Sequence, residues 1–324
     1  MSNEREEIEE FECFGSSCLA LVTGHGRAGS ACDAVTLVRN TLLDWHTRFS
    51  RFLPGSELSR VNADPRRTVP VRPLMARFAV AVQQAGELSG GLVDATLVGE
   101  LESAGYRGDL DGSLDLAAAL ALAPARAPGA PAAHGGWRAL EVDVAASTVT
   151  RPAGVRLDSG GLAKCLFADV LGATLQSHAS FAVNCAGDLL LGGSEGTVRP
   201  VRVQSPFDAR TIHTFQLSKT GVATSGIGRR SWLDEHGQPA HHLLDPASGR
   251  PAFTGVVQVT ALASSALAAE IKAKAALLSG PERAPAWLAQ GGVIVFDDGS
   301  HEVVAPPPTI PLSRLSELAS PRGR

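Results

Sequence analysis

Short apolar segments with β-branched residues recur along the second half of the chain without a regular alternation of helices. The sequence predicts strands at 138–144, 147–151, 181–192 and 198–204, and a hairpin over 213–223. Parallel strands need a long crossover, usually a helix, whereas antiparallel strands need only a short turn. The pattern therefore predicts an α+β fold with mainly antiparallel sheets flanked by helices.

Helices are predicted where apolar residues recur with the period of an α-helix. These stretches are 30–49, 74–89, 114–122, 160–176, 264–279 and 282–289. The periodic part of the chain ends in VIVFDDGSHEVV, where Asp298-Gly299 is typical of a tight turn between two strands. The predicted fold closes with this hairpin.

A stretch rich in Pro, Ala and Gly, APARAPGAPAAHGG, occupies residues 123–136. This composition fits an exposed linker or insertion better than a core element. We therefore expect an N-terminal α+β part at 1–122 and a C-terminal α+β part at 137–304. The last residues, 305–324, are predicted to form a flexible tail.

Charge and cysteine content argue against several classes of function. The net charge is -4 and no run of Lys or Arg marks a basic face, so nucleic acid is not an expected partner. No apolar stretch reaches transmembrane length, which argues against stable membrane insertion. The acidic start MSNEREEIEEF lacks the features of a secretory signal, so we expect a cytoplasmic protein. The 5 cysteines include no C-x-x-C pair, which argues against a disulfide framework or a zinc site.

One glycine motif resembles a dinucleotide-binding fingerprint. Gly24, Gly26 and Gly29 spell G-x-G-x-x-G, and the acidic residue Asp44 follows at a suitable distance. That acidic residue should end a second parallel strand, but Asp44 lies within the helical stretch NTLLDWHTRF. We therefore interpret the motif as a glycine-rich loop.

Five separated segments carry a more specific signal. They are FSRFLPGSELSRVNA (49–63), GGLVDATLVGELESAGY (90–106), LDSGGLAKCLFADVLGATL (157–175), FAVNCAGDLLLGG (181–193), and VATSGIGRRSW with HHLLDPASGRPA (222–232, 241–252). Taken in order, they resemble the FAD:protein FMN transferases, the ApbE-like flavin transferases. The resemblance implies an ApbE-like (T-fold-like) architecture, with flavin contacts from the part at 1–122 and the pyrophosphate and metal site in the part at 137–304.

The resemblance implies a phosphoryl transfer. A Thr or Ser hydroxyl of an acceptor protein attacks the phosphorus on the FMN side of FAD, and AMP leaves. FAD is then the substrate, and Mg2+ neutralises the pyrophosphate charge. Two alternatives stay open: a Mg2+-dependent FAD pyrophosphatase with water as the nucleophile, and an FAD-binding protein without catalysis.

The first two segments supply candidate flavin contacts. The resemblance places Phe52 where the family has an aromatic residue against the flavin. Asp94, Ala95 and Thr96 stand where the family usually has D-P-T, and their polar groups suit hydrogen bonds to the ribityl chain or the ring edge. A local Asx turn is the alternative interpretation of Asp94.

The middle segments add three candidate contacts. Asp158 precedes a Gly-rich helix start, whose free backbone N–H groups suit a phosphate or a ring carbonyl. Lys164 lies one turn into this helix, where the resemblance implies a flavin contact; a solvated helix lysine is the alternative. Asn184 ends an apolar strand before small residues that let a ligand approach the backbone, or that form a bulge.

The fifth segment predicts a pyrophosphate-binding loop. Thr224, Ser225 and Gly226 offer hydroxyls and backbone amides to a pyrophosphate, and Arg229 and Arg230 are placed to screen its charge. An ordinary Ser/Thr turn is the alternative.

The stretch HHLLDPASGRP is the most specific part of the resemblance. Asp245, with Pro246 and Gly249, builds a turn that fixes the loop, and we count Asp245 among the FAD contacts. The resemblance makes His242 the candidate base or proton shuttle, a role that imidazole suits near neutral pH.

The resemblance also implies a metal, held by a carbonyl near Gly161 and by an acidic residue and a threonine four apart on a late helix. Those helix positions carry Glu270 and Lys274, and Asp188 is a further candidate ligand. A protonated lysine cannot ligate a cation. Lys274 then swings away, or pairs with Glu270 and contacts the pyrophosphate itself, or inactivates the site; an ordinary surface pair is the alternative. We predict weakened Mg2+ affinity with activity retained.

Overall fold

The computed structural model describes residues 5–108 and 114–305. The strands of this part are β1 (Glu6–Cys13), β2 (Ser16–Thr23), β3 (Thr68–Pro70), β4 (Glu141–Asp143), β5 (Thr148–Thr150), β6 (Ser180–Cys185), β7 (Asp188–Gly192), β8 (Arg199–Gln204), β9 (Thr211–Leu217), β10 (Gly221–Gly226), β11 (Ser231–Leu233), β12 (Pro239–His241), β13 (Leu244–Asp245), β14 (Arg250–Pro251), β15 (Val256–Ala263), β16 (Gly292–Phe296) and β17 (His301–Val304). The predicted tail at 305–324 lies outside the described residues, apart from Ala305.

The helices confirm the periodicity found in the sequence, although several are shorter than predicted. They are α1 (Ala31–Phe49), α2 (Glu57–Ala63), α3 (Pro73–Leu88), α4 (Val98–Ser103), α5 (Leu116–Leu122), α6 (Ala163–Leu175), α7 (Ala266–Ser279) and α8 (Ala284–Trp287), with a 3-10 turn at Gly136–Ala139. Within the described ranges, no helix is long and apolar enough to cross a membrane.

An eight-stranded antiparallel sheet forms the centre of the fold, in the order β1-β2-β6-β7-β10-β15-β16-β17. Smaller antiparallel sheets of two or three strands surround it. The predicted α+β fold with mainly antiparallel sheets is therefore confirmed. The Asp298-Gly299 turn is also confirmed, because β16 and β17 pair across it and Gly299 has a φ of 83°.

The predicted hairpin over 213–223 is wrong. β9 pairs with β8, whereas β10 enters the central sheet between β7 and β15. The turn between β9 and β10 therefore carries the chain from one sheet to another. Central placement suits the apolar start of β10, where Val222 and Ala223 are buried.

Three helices pack on the central sheet, each on a different pair of neighbouring strands. α1 packs on β1 and β2, α6 on β6 and β7, and α7 on β10 and β15. α1 begins with a capping box, in which the Ser30 and Asp33 side chains bond each other's backbone N–H. α7 is buried along most of its length, so polar side chains on it lie inside the protein.

The Pro-rich segment at 123–136 does not interrupt the central sheet, because β2 before it pairs with β6 after it. Its backbone is fixed by hydrogen bonds to the C-terminal part. Gly129 N donates to Leu278 O at 2.7 Å, and Ala130 N donates to the Asp245 carboxylate at 2.7 Å. The segment is thus mostly exposed but held in place.

The glycine motif forms a loop between β2 and α1. Gly26 and Gly29 exchange two backbone hydrogen bonds of 3.0 Å, and Asp44 lies in α1. This agrees with the glycine-rich loop predicted from the sequence. All five cysteines are free, and all but Cys32 are buried.

Candidate active site

A cleft of about 680 Å3, part of it open to solvent, lies where three loops meet α7. Much of the lining is apolar, and the polar lining includes both signs of charge. The apolar lining includes Leu92, Val93, Leu97, Leu101, Leu243, Leu244 and Leu278, and the polar side chains are Asp94, Tyr106, Asp158, Arg230, His242 and Lys274.

Asp94 presents a buried acceptor at this cleft. Its Oδ1 accepts hydrogen bonds from Thr96 N at 2.8 Å and from Thr96 Oγ1 at 2.5 Å. Its Oδ2 is buried and has no hydrogen-bond partner among the described residues. Burial raises the pKa of Asp94 above its usual value. An oxygen left in this state suits a ligand that supplies a hydrogen-bond donor.

Asp158 joins two of the loops. Its backbone N–H donates to Ala95 O at 2.8 Å, and its carboxylate accepts from Arg51 Nε at 3.1 Å and from Gly160 N at 3.2 Å. The Asn62 side chain fixes the preceding residue, Leu157, because its Nδ2 donates to Leu157 O and its Oδ1 accepts from Leu157 N, both at 2.8 Å. The carboxylate is therefore held rigidly at the edge of the cleft.

An aromatic cluster lies beside the apolar part of the cleft. Tyr106 stacks on Trp232 with ring centroids 5.4 Å apart, and Phe52 meets Tyr106 edge to face at 5.4 Å. The Arg51 guanidinium lies over both the Phe52 ring and the Tyr106 ring. Tyr106 is the member of the cluster that lines the cleft.

A buried triad of Lys274, Glu270 and Ser225 adjoins the cleft. Lys274 Nζ lies 2.6 Å from Glu270 Oε1 and donates to Ser225 Oγ at 3.3 Å. Ser225 Oγ in turn donates to Glu270 Oε2 at 2.9 Å. Burial raises the pKa of Glu270, and the Lys274 ammonium opposes this shift. The interpretation of Glu270 and Lys274 as an ordinary surface pair is wrong, because both residues are buried.

A second ion pair borders this triad. Lys164 Nζ lies 2.9 Å from Asp188 Oδ2. Burial lowers the pKa of Lys164, but the acidic groups around it, with Asp188 the strongest of them, together outweigh this effect and the net pKa is raised. Ligand atoms of Cys165, Asp188 and Glu270 lie within 4.8 Å of one another. Burial raises the pKa of Cys165 well above its usual value, so its thiol is protonated.

His242 lines the cleft together with Lys274 and Arg230. Burial, followed by the positive charges of Lys274 and Arg230, holds the pKa of His242 well below its usual value. The ring is therefore neutral near pH 7. Its Nδ1 is buried and has no hydrogen-bond partner among the described residues.

The model of the ApbE family matches residues 21–296, which is most of the chain. The chain belongs to the ApbE family. It is 30% identical over 120 residues to the FAD:protein FMN transferase of Escherichia coli (strain K12), covering 36% of this chain and 34% of that protein. It is 31% identical over 150 residues to the FAD:protein FMN transferase of Treponema pallidum, covering 42% of this chain and 41% of that one. These alignments thus span less than half of either relative.

Solved structures with the ApbE name share the fold. The ApbE protein of Thermotoga maritima superposes with a TM-score of 0.73 at 22% identity, covering 92% of this chain and 97% of that one. The apo form of the Pseudomonas stutzeri flavinyl transferase ApbE gives a TM-score of 0.73 at 23% identity, covering 93% and 95%. The ApbE-like architecture expected from the sequence is therefore confirmed.

The structure of this ApbE family member brings seven of the predicted site residues to one cleft. Those that line it are Asp94, Ala95, Asp158, Gly161, Arg230, His242 and Lys274. Thr96 lies just behind, bonded to Asp94, while Ser225, Glu270, Asp188 and Lys164 form the adjoining charged clusters. The positions come from distant parts of the sequence and meet only in the fold.

Other predicted residues lie away from the cleft. Thr224 and Ser225 are neighbours on β10, so their side chains point to opposite faces of the sheet. Thr224 is bonded to Thr260 Oγ1 at 2.8 Å, which separates its hydroxyl from that of Ser225. Gly226 pairs with Gln258 at the end of β10.

Arg229, Asn184, Asp245 and Phe52 do not line the cleft. Arg229 is exposed, and its neighbour Arg230 is the arginine that lines the cleft. Asn184 accepts a hydrogen bond from Gly187 N at 2.8 Å, which closes the turn between β6 and β7. Both carboxylate oxygens of Asp245 bind backbone N–H groups of the surrounding loops, so Asp245 has the turn-fixing role predicted from the sequence. Phe52 reaches the cleft only through Tyr106.

Sequence reasoning missed four residues of the site. Tyr106 and Trp232 each end one of the resembling segments, but no local pattern in the sequence marks their contacts. Arg51 and Asn62 act through contacts with residues about 100 positions away, Asp158 and Leu157. Only a comparison of many homologues could have signalled such long-range pairs before the fold was known.

The donor set of this ApbE site does not fit Mg2+. That ion requires oxygen ligands in near-octahedral geometry. Here one oxygen of each carboxylate, Glu270 and Asp188, binds a lysine ammonium, and the second Glu270 oxygen accepts a hydrogen bond from Ser225. The third side chain of the cluster is the protonated Cys165 thiol. A divalent cation would therefore meet two ammonium groups.

Proposed function

We propose that this chain transfers FMN from FAD to a Thr or Ser hydroxyl of an acceptor protein and releases AMP. Its membership of the ApbE family and the names of its relatives support this proposal. The observation that carries it is the composition of one cleft. Its apolar lining and the Tyr106 ring suit a flavin ring, and Arg230 and Lys274 at the same cleft suit a pyrophosphate.

The proposed transfer has a simple atomic balance. The acceptor hydroxyl oxygen forms a bond to the phosphorus on the FMN side of FAD. The bond from that phosphorus to the bridging oxygen breaks, and AMP carries this oxygen away. The hydroxyl proton passes to His242, which is neutral and has an unpartnered Nδ1.

Arg230 and Lys274 stabilise the charge on the transferred phosphoryl group. Both contribute positive charge beside His242, so an anionic substrate that offsets this charge raises the pKa of the ring and makes it a stronger base. Asp94 and Asp158 position the flavin half, since Asp94 Oδ2 is an unpartnered acceptor and Asp158 is held by Arg51. No step is assigned to Mg2+, because the donor set does not fit that ion.

Incubating the purified protein with FAD tests the proposal. The acceptor source is an extract of the native host, freed of small molecules. AMP release that requires the extract, together with FMN on Thr or Ser in mass spectrometry, supports the transferase. AMP and free FMN without extract indicate the pyrophosphatase, and intact FAD throughout indicates a binding protein. The predicted cytoplasmic location stays a prediction.

Neighbouring arginines provide a matched pair of variants for this assay. Arg230→Ala removes a cation that lines the cleft, whereas Arg229→Ala removes an exposed one. We expect AMP release to fall about tenfold or more in Arg230→Ala, because hydrogen bonds to charged groups contribute about 1.5–3 kcal/mol. Arg229→Ala is expected to behave as wild type. Equal loss in both variants contradicts the assignment of Arg230 to the cleft.

A further inference from the structure

Lys274 is a buried cation with an unused donor. Its ammonium has three N–H groups, and in the described part of the chain two partners engage it: Glu270 Oε1 at 2.6 Å and Ser225 Oγ at 3.3 Å. Lys274 also lines the cleft. The third N–H is therefore available to a ligand there.

The fold holds this lysine in one place. Gly161 lies against its stem, and a Cβ on Gly161 would come within 2.8 Å of Lys274 Cε. A larger residue at 161, at the end of the loop before α6, would force the end of the Lys274 side chain to shift. On its other side, Glu270 lies one turn earlier on α7, which keeps the ammonium at the floor of the cleft.

The charges around Lys274 balance without a metal ion. Glu270 neutralises Lys274, and Asp188 neutralises Lys164. The protonated Cys165 thiol adds no charge. A divalent cation would add two positive charges to this neutral set and would have to displace an ammonium to reach either paired carboxylate oxygen.

We propose that the Lys274 ammonium is a built-in cation that binds the FAD pyrophosphate, so that this chain binds FAD without a divalent metal. The inference rests on the proposed function, because it takes FAD as the ligand. A lysine ammonium is a competent point-charge partner for phosphate oxygens. Arg230, at the same cleft, supplies a second positive charge.

FAD titrations followed by flavin fluorescence test this inference without measuring turnover. In wild type, the FAD dissociation constant is expected to change by less than about twofold between excess EDTA and millimolar MgCl2. In Lys274→Thr with EDTA, it is expected to rise about tenfold or more, because a charged hydrogen bond is lost. MgCl2 is expected to recover part of that loss, since the variant leaves Glu270 free to ligate. Riboflavin, which lacks phosphate, is expected to bind wild type and variant alike.

Lys272→Thr is the matched control. Lys272 lies on the same helix, but its Nζ donates to Gln290 Oε1 at 2.8 Å, at the surface. This variant is expected to bind FAD as wild type does. If Lys274→Thr does not fold, the comparison of EDTA with MgCl2 on wild type still decides whether FAD binding requires a divalent metal.

The outcomes separate this inference from the proposed function. FAD binding by wild type that requires Mg2+ overturns the inference and leaves the proposed transfer intact. Unchanged FAD affinity in Lys274→Thr with EDTA also overturns it. Metal-free FAD binding without FMN transfer to any acceptor supports the inference and contradicts only the proposed function. A failure to bind FAD in every condition overturns both.

Discussion

Acidification is expected to destabilise this protein through His241, the neighbour of the candidate base. The His241 ring is buried and packs edge to face on Phe253, with ring centroids 4.7 Å apart. Its Nδ1 accepts from Leu243 N at 3.3 Å, and its Nε2 has no partner among the described residues. Burial lowers the pKa of His241 to about 3. The folded protein therefore excludes a proton that the unfolded chain binds.

The size of the effect follows from the two pKa values. The unfolded ring has a pKa of about 6.5, so stability is fully present above that pH and is lost as the pH falls below it. Between the unfolded and folded values, each pH unit costs about 1.4 kcal/mol. At pH 5, His241 alone therefore lowers the free energy of unfolding by about 2 kcal/mol relative to pH 8. His242 acts in the same direction, because burial lowers its pKa too.

Urea unfolding at pH 8 and pH 5 measures this pH-dependent loss of stability. His241→Asn keeps an acceptor near the Nδ1 position and removes the titrating ring. The difference in unfolding free energy between the two pH values is expected to shrink by about 2 kcal/mol in this variant. His213→Asn controls for the lost ring contact, since His213 meets Phe215 edge to face at 4.3 Å. Equal pH differences in wild type and His241→Asn would refute the reasoning.

Three further predictions concern the cleft. Lys274→Met leaves Glu270 buried without its ammonium partner and is expected to lower the free energy of unfolding in urea by about 3–5 kcal/mol. Adding Glu270→Gln is expected to recover most of this loss. A double variant as unstable as Lys274→Met contradicts the ion pair. Gly161→Ala places a Cβ 2.8 Å from Lys274 Cε, so the Lys274 side chain must shift and the affinity for FAD should fall. Gly55→Ala, which has open space around the new Cβ, should bind FAD as wild type does. His242→Ala should abolish AMP release but spare FAD binding, as expected of a group that acts in the transition state; near-normal turnover would assign the base elsewhere.

The site was predictable where local chemistry and chain order suffice. The segments around Asp94, Asp158 and His242 could be selected from the sequence, and all three residues line the cleft. The sequence groups Thr224 with Ser225 because the predicted hairpin over 213–223 ends before them. Once β10 is known to run through Gly226, strand alternation separates their hydroxyls.

The sequence by itself determined the fold class, most helices and the last hairpin, because these follow from short-range periodicity and turn chemistry. Tertiary structure decided how strands pair and what lies inside. It placed β10 between β7 and β15, and it buried Glu270 and Lys274 as one pair beside Ser225. The spacing of Glu270 and Lys274 is the same for a surface pair and for a buried one. Only the packing of α7 against the sheet decides which of the two forms, because burial depends on contacts between distant residues.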